Sequence, residues 1–209
     1  MSRAGQIRFL SRTARLYDPV VRTLGFPRLW DAIASHASPA AGTPCLDACT
    51  GTGGVALALA RRGGAVVGVD LSGGMLARAA RKSEAAGLAG RVSFQRMDAR
   101  RLGFEDGAFP IVTCAMALHE MAPSERLHVL RELRRVASDR VVVAEYEVPP
   151  RGARRLAFRA LHAFEYLESD DFAGFLARGA LGCMEDAGLS ADLHVRTGSY
   201  AVWSCQVRP

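Results

Sequence analysis

Lysine is almost missing from this chain: Lys82 is the only one among 27 basic residues, and the rest are arginine. A net charge of +6 invites a nucleic-acid partner. The arginines are dispersed, however, and no run of five or six basic residues occurs, so the surplus reads as composition and no nucleic acid is expected. No apolar run reaches the roughly 18 residues of a membrane-crossing helix, and no membrane span is expected. Five cysteines are an odd number without a Cys-x-x-Cys pair, which points to reduced thiols in a cytoplasmic protein. Cys45 and Cys49 flank an apolar segment and raise the thought of a metal or metalloid site. Small buried thiols are the commoner outcome, and no metal is expected. Internal repeats and low-complexity linkers are absent too, and 209 residues suit one domain with a full core.

What is present is concentrated in residues 44–70, PCLDACTGTGGVALALARRGGAVVGVD. The segment reads as an apolar strand with Asp47 near its end, a glycine turn at Gly51, Gly53 and Gly54, a helix, and a second apolar strand ending in Asp70. Glycines let backbone turn tightly and approach a ligand, a helix begins there with unpaired N–H groups, and an acid at the next strand's tip can accept from ribose hydroxyls. The same GTGGVA also fits a dinucleotide fingerprint. That alternative wants a Tyr-x-x-x-Lys pair and a second, substrate-binding domain, and neither is found.

Apolar runs then alternate with helical patterns. Helices are expected over 6–16, 19–37, 53–62, from Ser72 to about Gly87, over 123–136, and along 152–187 with a break near Ser169-Asp170-Asp171. Strands are expected at 44–48, 65–70, 91–96, 110–116, 140–147, 191–197 and 199–207. In the helix after Pro123, Leu127, Leu130, Leu133 and Val136 face inward and the arginines outward. Strands spaced by helices pair in parallel with right-handed crossovers. The fold class is therefore α/β, a doubly wound, mostly parallel seven-stranded Rossmann-like sheet with a C-terminal antiparallel hairpin. Residues 1–42 form an N-terminal helical cap and 43–209 the main domain. The first 17 residues hold arginines and no acid, as transit peptides do, but they run without a break into a helical pattern. Ligands of such sheets sit beyond the strand C-termini, where Asp47, Gly51, Asp70, Asp98, His119 and Glu145 should gather.

These motifs resemble the class I S-adenosylmethionine-dependent methyltransferases. LDACTGTGG is similar to that family's first motif, VVGVDLSGGML to its second, and MDARRLGFEDGAFPIVTC to its third and fourth. The ubiquinone and menaquinone biosynthesis C-methyltransferase-like group is nearest, with a Tyr-Asp pair just upstream and a small side chain where the motif's first glycine usually stands. The resemblance implies S-adenosyl-L-methionine as cofactor. It implies that Asp47 anchors the turn and reaches toward the methionine ammonium, and that Gly51, Thr52 and Gly53 lie against the cofactor. Asp70 would accept from the ribose, Leu71 and Met75 would flank the adenine, and Asp98 with Ala99 would meet its amino group. Ala115 would lie near the sulfonium, and Tyr17 would close over it. Two departures stand out: Cys49 replaces the first glycine, and Pro110 replaces the aspartate usual before the fourth strand, which should place that strand's start at a sheet-edge loop.

Methyl transfer from a sulfonium asks a protein for alignment in a dry site, and for a base only where the acceptor must lose a proton. His119, in ALHEM just after the fourth strand, is the candidate catalytic residue because its ordinary pKa suits proton transfer near neutrality. Glu120 and Glu145 are weaker candidates. Phe158, His162 and Tyr166 recur every four residues and can line one side of an apolar, aromatic acceptor pocket. The expected activity is methylation of a small aromatic or lipophilic molecule (EC 2.1.1.-). The alternatives are a non-catalytic cofactor-binding accessory protein, or a methyltransferase acting on RNA or protein. The N-terminal helices can cover the pocket or join two copies as a homodimer.

Overall fold

The structure, a computed structural model, describes residues 18–19, 23, 25–149, 152, 170–197 and 199–207. Seven strands form one sheet: β1 (Pro44–Ala48), β2 (Ala65–Asp70), β3 (Val92–Arg96), β4 (Phe109–Ala115), β5 (Ala137–Tyr146), β6 (Asp192–Thr197) and β7 (Tyr200–Gln206). Their order across the sheet is β3-β2-β1-β4-β5-β7-β6. The first five are parallel, whereas β7 runs antiparallel between β5 and β6. The doubly wound sheet and its terminal hairpin are those expected from the alternation of apolar and helical segments.

The strand order reverses at β1 and β4, so the crossovers place helices on both faces. Helix α1 (Phe26–Ala37) and α2 (Gly54–Arg61) share an apolar cluster with Ile33, Val66, Ile111 and Val142, while α3 (Gly73–Ala85) lies beside β2 and β3. On the other face α4 (Pro123–Val136) and α5 (Asp170–Asp186) pack Leu130, Leu133, Phe172 and Phe175 against Val112, Val141 and Val143. Strands buried on both faces read as continuous apolar runs, and Val141, Val142, Val143 and Ala144 of β5 are all fully enclosed.

Local chemistry sets the ends of the elements. Ser72 caps α3, its hydroxyl accepting from the Met75 N–H at 3.3 Å. Gly25 (φ 83°) halts the chain just before Phe26, so the stretch 19–37 is not one helix and α1 begins with a proline in its first turn. Pro110 lies inside β4 and not in a loop at the sheet's edge. The register of β4 against β5 shifts between Phe109 and Ile111, and pairing with β1 starts only at Ile111. A bulge thus accommodates the missing donor. Along α4 the arginines do not all face outward: Arg126 is 4 % exposed and takes an inward position, while Leu127 is only half-buried. Helix α5 bends at Gly179 (φ 74°). The helical pattern of residues 153–169 and the helix at 6–16 lie outside the described residues.

Gly54, at the start of α2, has a steric reason to be glycine. A Cβ there would come within 2.4 Å of the Trp30 indole, which lies flat against the helix. Gly54→Ala must therefore push α1 off α2. We expect a loss of about 1–3 kcal/mol in urea denaturation, with a shift in tryptophan emission. An unchanged midpoint would show that α1 does not sit on α2 in solution.

Candidate functional site

All five parallel strands end on one edge, and the first turn there is built for close approach. Cys49 (φ 56°), Gly51 (φ 54°) and Gly53 (φ 79°) take left-handed conformations between β1 and α2. The turn is held from below by Asp47, which is 1 % exposed. Its oxygens accept from Thr50 Oγ1 (2.6 Å), the Ala56 N–H (3.1 Å) and Thr113 Oγ1 (2.7 Å). From the side Asp70 accepts from the Gly51 N–H at 2.9 Å and the Ser72 N–H at 2.8 Å. A Cβ on Gly51 would meet nothing within 4 Å, so its bare backbone faces open space beside the Asp70 carboxylate. Donors, an acid and room for a ligand therefore coincide at the switch point between β1 and β4, where ligands of open α/β sheets bind.

Burial shifts both acids. Desolvation pushes Asp47 up to about 6 against the hydrogen bonds from Thr50, Thr113 and Ala56, and the charge of Asp70 adds to the rise. Asp70 is raised for the same first reason, opposed by the Ser72, Gly51 and Leu71 N–H groups.

The remaining cofactor candidates are distributed around this turn. Leu71 is half-buried directly after β2, and Met75 is buried in the first turn of α3. Asp98, after β3, is half-buried and paired with Arg100, whose Nη2 lies 2.6 Å away, and Ala99 is buried in the core beside Leu102. Ala115 ends β4, and Met116 follows with φ 53°. Thr52 faces away from the open side. It is 2 % exposed and donates to Asp18 at 2.7 Å. Asp18 is also reached by Arg78 Nε (2.8 Å) and Lys82 Nζ (2.7 Å), which ties this residue to the glycine turn and to α3. Burial raises the Asp18 carboxyl, but the bonds from Lys82, Arg78 and Thr52 outweigh it and hold it below the usual range. Desolvation lowers the Lys82 ammonium in turn. Both shifts are downward, which favours the charged form of Asp18 and disfavours that of Lys82, and three donors on one carboxylate mark it as an ion pair. Tyr17, Phe158, His162 and Tyr166 lie outside the described residues.

A second arrangement follows β4. His119 sits in a 3-10 turn, Leu118–Glu120, and Glu145 near the end of β5 faces it from the neighbouring strand. His119 Nδ1 and Glu145 Oε2 are 2.8 Å apart, and Glu145 is fully enclosed. His119 Nε2 lies 3.9 Å from Glu120, whose side chain is 42 % exposed. Aromatic rings surround the imidazole: Tyr146 edge-on at 4.7 Å, Phe172 at 5.8 Å and Phe175 at 6.3 Å. Arg126 closes the turn, donating to the Leu118 carbonyl at 2.8 Å and the Asp171 carbonyl at 2.5 Å, with its guanidinium over the Phe175 ring.

Asp47, Gly51, Asp70, His119 and Glu145 thus share one edge of the sheet. Arg126 and Tyr146 were missed by reasoning from sequence, and Asp18, noted only within the Tyr-Asp pair, was given no role; Tyr146, closing the apolar run of β5, had a readable signal. Among the described residues no group of three or more His, Cys, Asp or Glu could hold a metal, and no helix is long and apolar enough to cross a membrane. A wide groove lined by Arg131, Arg134, Arg135 and Asp186 opens at the opposite edge, away from this chemistry.

A glycine turn over a buried acid, with a second acid at the tip of β2 in this strand order, defines the Rossmann-like methyltransferase fold. Residues 45–140 match a family model described as a methyltransferase domain. The demethylmenaquinone methyltransferase of Thermus thermophilus is 47 % identical over 118 residues, covering 54 % of this chain and 52 % of that protein. A ubiquinone/menaquinone biosynthesis C-methyltransferase of Geotalea uraniireducens is 34 % identical over 160 residues, 73 % of this chain and 66 % of the relative. Among solved structures, a SAM-dependent methyltransferase from Methanosarcina mazei superposes with a TM-score of 0.64 at 19 % identity, over 83 % of this chain and 96 % of that one, a likeness of fold. Residues 45–140 are thus similar to a methyltransferase domain, and the chain is similar in sequence to the ubiquinone/menaquinone C-methyltransferases among the class I S-adenosylmethionine-dependent methyltransferases. It spans about half to two thirds of the length of these two curated relatives.

The raised Asp47 gives a signed pH effect. Between the unperturbed value of 3.8 and about 6 the folded state holds a proton that the unfolded state has released. Stability is then highest at the acid end of this window and falls as pH rises through it, by roughly 1.4 kcal/mol for every pH unit crossed. In urea unfolding from pH 4 to 7.5, Asp47→Asn should flatten this slope while keeping the fold. A slope unchanged in the variant would assign the effect to another group.

Proposed function

We propose that the protein is an S-adenosyl-L-methionine-dependent methyltransferase acting on a small aromatic or lipophilic acceptor, with His119 as the base where the acceptor must lose a proton. The observation that carries this reading is the open backbone of Gly51 beside the Asp70 carboxylate. The Asp70 carboxylate already receives the N–H groups of Gly51, Ser72 and Leu71 and, with about four lone-pair sites, keeps room for a ribose hydroxyl. Leu71 and Met75 supply apolar contact for an adenine, Asp98 and Ala99 stand at its far edge, and Ala115 ends β4 toward the reacting centre. Gly51, Thr52 and Gly53 give the turn its close approach, Asp47 supports it from beneath, and Tyr17 would close over it. The residues present therefore fit the cofactor. Bound there, it supplies a methyl group activated by a sulfonium.

The acceptor's class is supported by two features. The relatives named above are a demethylmenaquinone methyltransferase and a ubiquinone/menaquinone biosynthesis C-methyltransferase, and the base candidate is flanked by Tyr146 and Phe172. We assign the same role to the stripe Phe158, His162 and Tyr166. Residues 43–209 would be the catalytic domain with 1–42 as its cap. The five free thiols fit a reducing cytoplasm. One observation favours a second reading: the His119 side chain is only 8 % exposed, as a packing histidine would be, and the chain would then bind cofactor without turnover.

Calorimetry with S-adenosylhomocysteine and label transfer separate these readings. Asp70→Ala removes hydrogen bonds to a charged acceptor, each worth about 1.5–3 kcal/mol, and should weaken binding by about 100-fold. His119→Ala should leave binding intact and lower the transfer of tritiated methyl into the organic fraction of a cell extract. Undiminished transfer in His119→Ala would remove the base. No binding by the unmodified protein at millimolar ligand would remove the cofactor assignment.

A further inference from the structure

Glu145 is a charged side chain with no access to water (0 % exposed), and its hydrogen bonds all come from nitrogen atoms. Oε1 accepts from the N–H groups of Ala117 at 2.8 Å and Leu118 at 2.6 Å, with His119 N more distant at 3.4 Å. Oε2 meets His119 Nδ1 at 2.8 Å and the Tyr146 N–H at 3.2 Å. A carboxylate has only lone pairs to offer, so the proton in the short contact to the ring sits on Nδ1. In neutral imidazole the basic lone pair then belongs to Nε2, on the side of the ring that faces the half-exposed Glu120.

We infer that Glu145 is a positioning residue, which holds His119 in the Nδ1–H tautomer with Nε2 as the proton acceptor of the reaction. The inference rests on the methyl-transfer reading above. In the step it serves, the acceptor's O–H or C–H bond breaks and its proton passes to Nε2. The electron pair left on the acceptor forms the bond to the methyl carbon, and the S–C pair returns to sulfur. The imidazolium is held against the Glu145 carboxylate until its proton leaves to water. Capping the turn would occupy Oε1 alone; the second oxygen serves the ring at 2.8 Å and the Tyr146 N–H at 3.2 Å.

The surroundings are ionic as well as aromatic. Glu120 lies on the same turn, Arg126 approaches from α4, Asp171 and Cys183 from α5, Cys114 from β4 and Tyr146 from β5. Any titration of His119 is read in the presence of these groups.

Glu145→Gln separates positioning from capping. Its carbonyl oxygen can still accept from Ala117 and Leu118, which leaves the amide NH2 facing Nδ1 and the Tyr146 N–H without its carboxylate acceptor. Nδ1 must then accept, and the proton moves to Nε2. Nitrogen-15 spectra of labelled histidine should show His119 protonated on Nδ1 in the unmodified protein and on Nε2 in the variant. Methyl transfer from S-adenosylmethionine into the organic fraction should fall about 100-fold in kcat with little change in KM. The acidic limb of the pH–kcat profile should move to lower pH, because the imidazolium has lost its carboxylate. An Nε2–H tautomer in the unmodified protein overturns the inference, even if the variant fails to fold. So does an unchanged tautomer, or full kcat across pH 6–9, in the variant. The spectra need no turnover, so an unmodified protein that transfers no methyl but shows Nδ1–H removes the functional reading and leaves the Glu145 geometry standing.

Discussion

Backbone N–H groups that emerge where a strand gives way to a turn must meet an acceptor, and on the ligand edge of this sheet carboxylates meet them. Asp47 takes the Ala56 N–H, Asp70 takes those of Gly51 and Ser72, and Glu145 takes those of Ala117, Leu118 and Tyr146. Each acid stands on a different strand, and two of the three reach across to a neighbouring strand's turn. A row of buried negative charge is expensive in isolation. It is tolerated because each oxygen is matched by a donor whose own alternative would be an unsatisfied amide. The edge that holds the chemistry is therefore also the edge whose backbone would come apart first if the acids were lost.

The same edge stores conformational strain. Cys49 and Met116 directly follow the adjacent strands β1 and β4, and both are non-glycine residues in the left-handed region. Such residues cost on the order of 1 kcal/mol or more each and survive only where their surroundings over-determine them. Around Cys49 the constraint is visible: Thr50 Oγ1 is tied to Asp47 and the Thr50 N–H to the Val69 carbonyl at 2.9 Å. Around Met116 it is the bond from its own N–H to Ala144 O at 2.8 Å. Cys49 in a glycine's place is thus a glycine conformation kept by neighbouring hydrogen bonds without a glycine.

The alternation of strands and helices was readable because its cause is local: β2 and β5 are apolar on both faces, and α3 begins at a serine that caps it. The glycine turn and Asp70 were readable for a related reason, since a turn followed some twenty residues later by an acid is a spacing within one βαβ unit. What escaped depends on contacts across longer distances. Arg126 lies on the buried stripe of α4, three and four residues before Val129 and Leu130, but its residue type assigns it to the surface; its burial depends on the Leu118 and Asp171 carbonyls and the Phe175 ring that receive it. Thr52 belongs by sequence to the ligand turn, yet its hydroxyl is taken by Asp18, 34 residues away. Pro110 announced a defect in β4, but the sequence could not say that a bulge against β5 would absorb it inside the sheet.

The turn that carries His119 illustrates how these long-range contacts become functional geometry. Glu145 pulls on its N–H groups from one side, and Arg126 pulls on the Leu118 carbonyl from the other. A single short turn is thereby fixed between opposite buried charges, each of which lowers the cost of burying the other. Arg126 also grips the Asp171 carbonyl at the start of α5, the helix that supplies Phe172 and Phe175 to the imidazole. The orientation of the ring and the placement of its aromatic neighbours therefore have one mechanical origin. Any movement of α5 that loosened Arg126 would disturb the His119 ring and its aromatic neighbours together, and in the methyl-transfer reading proposed above specificity and proton transfer would be coupled through that one guanidinium.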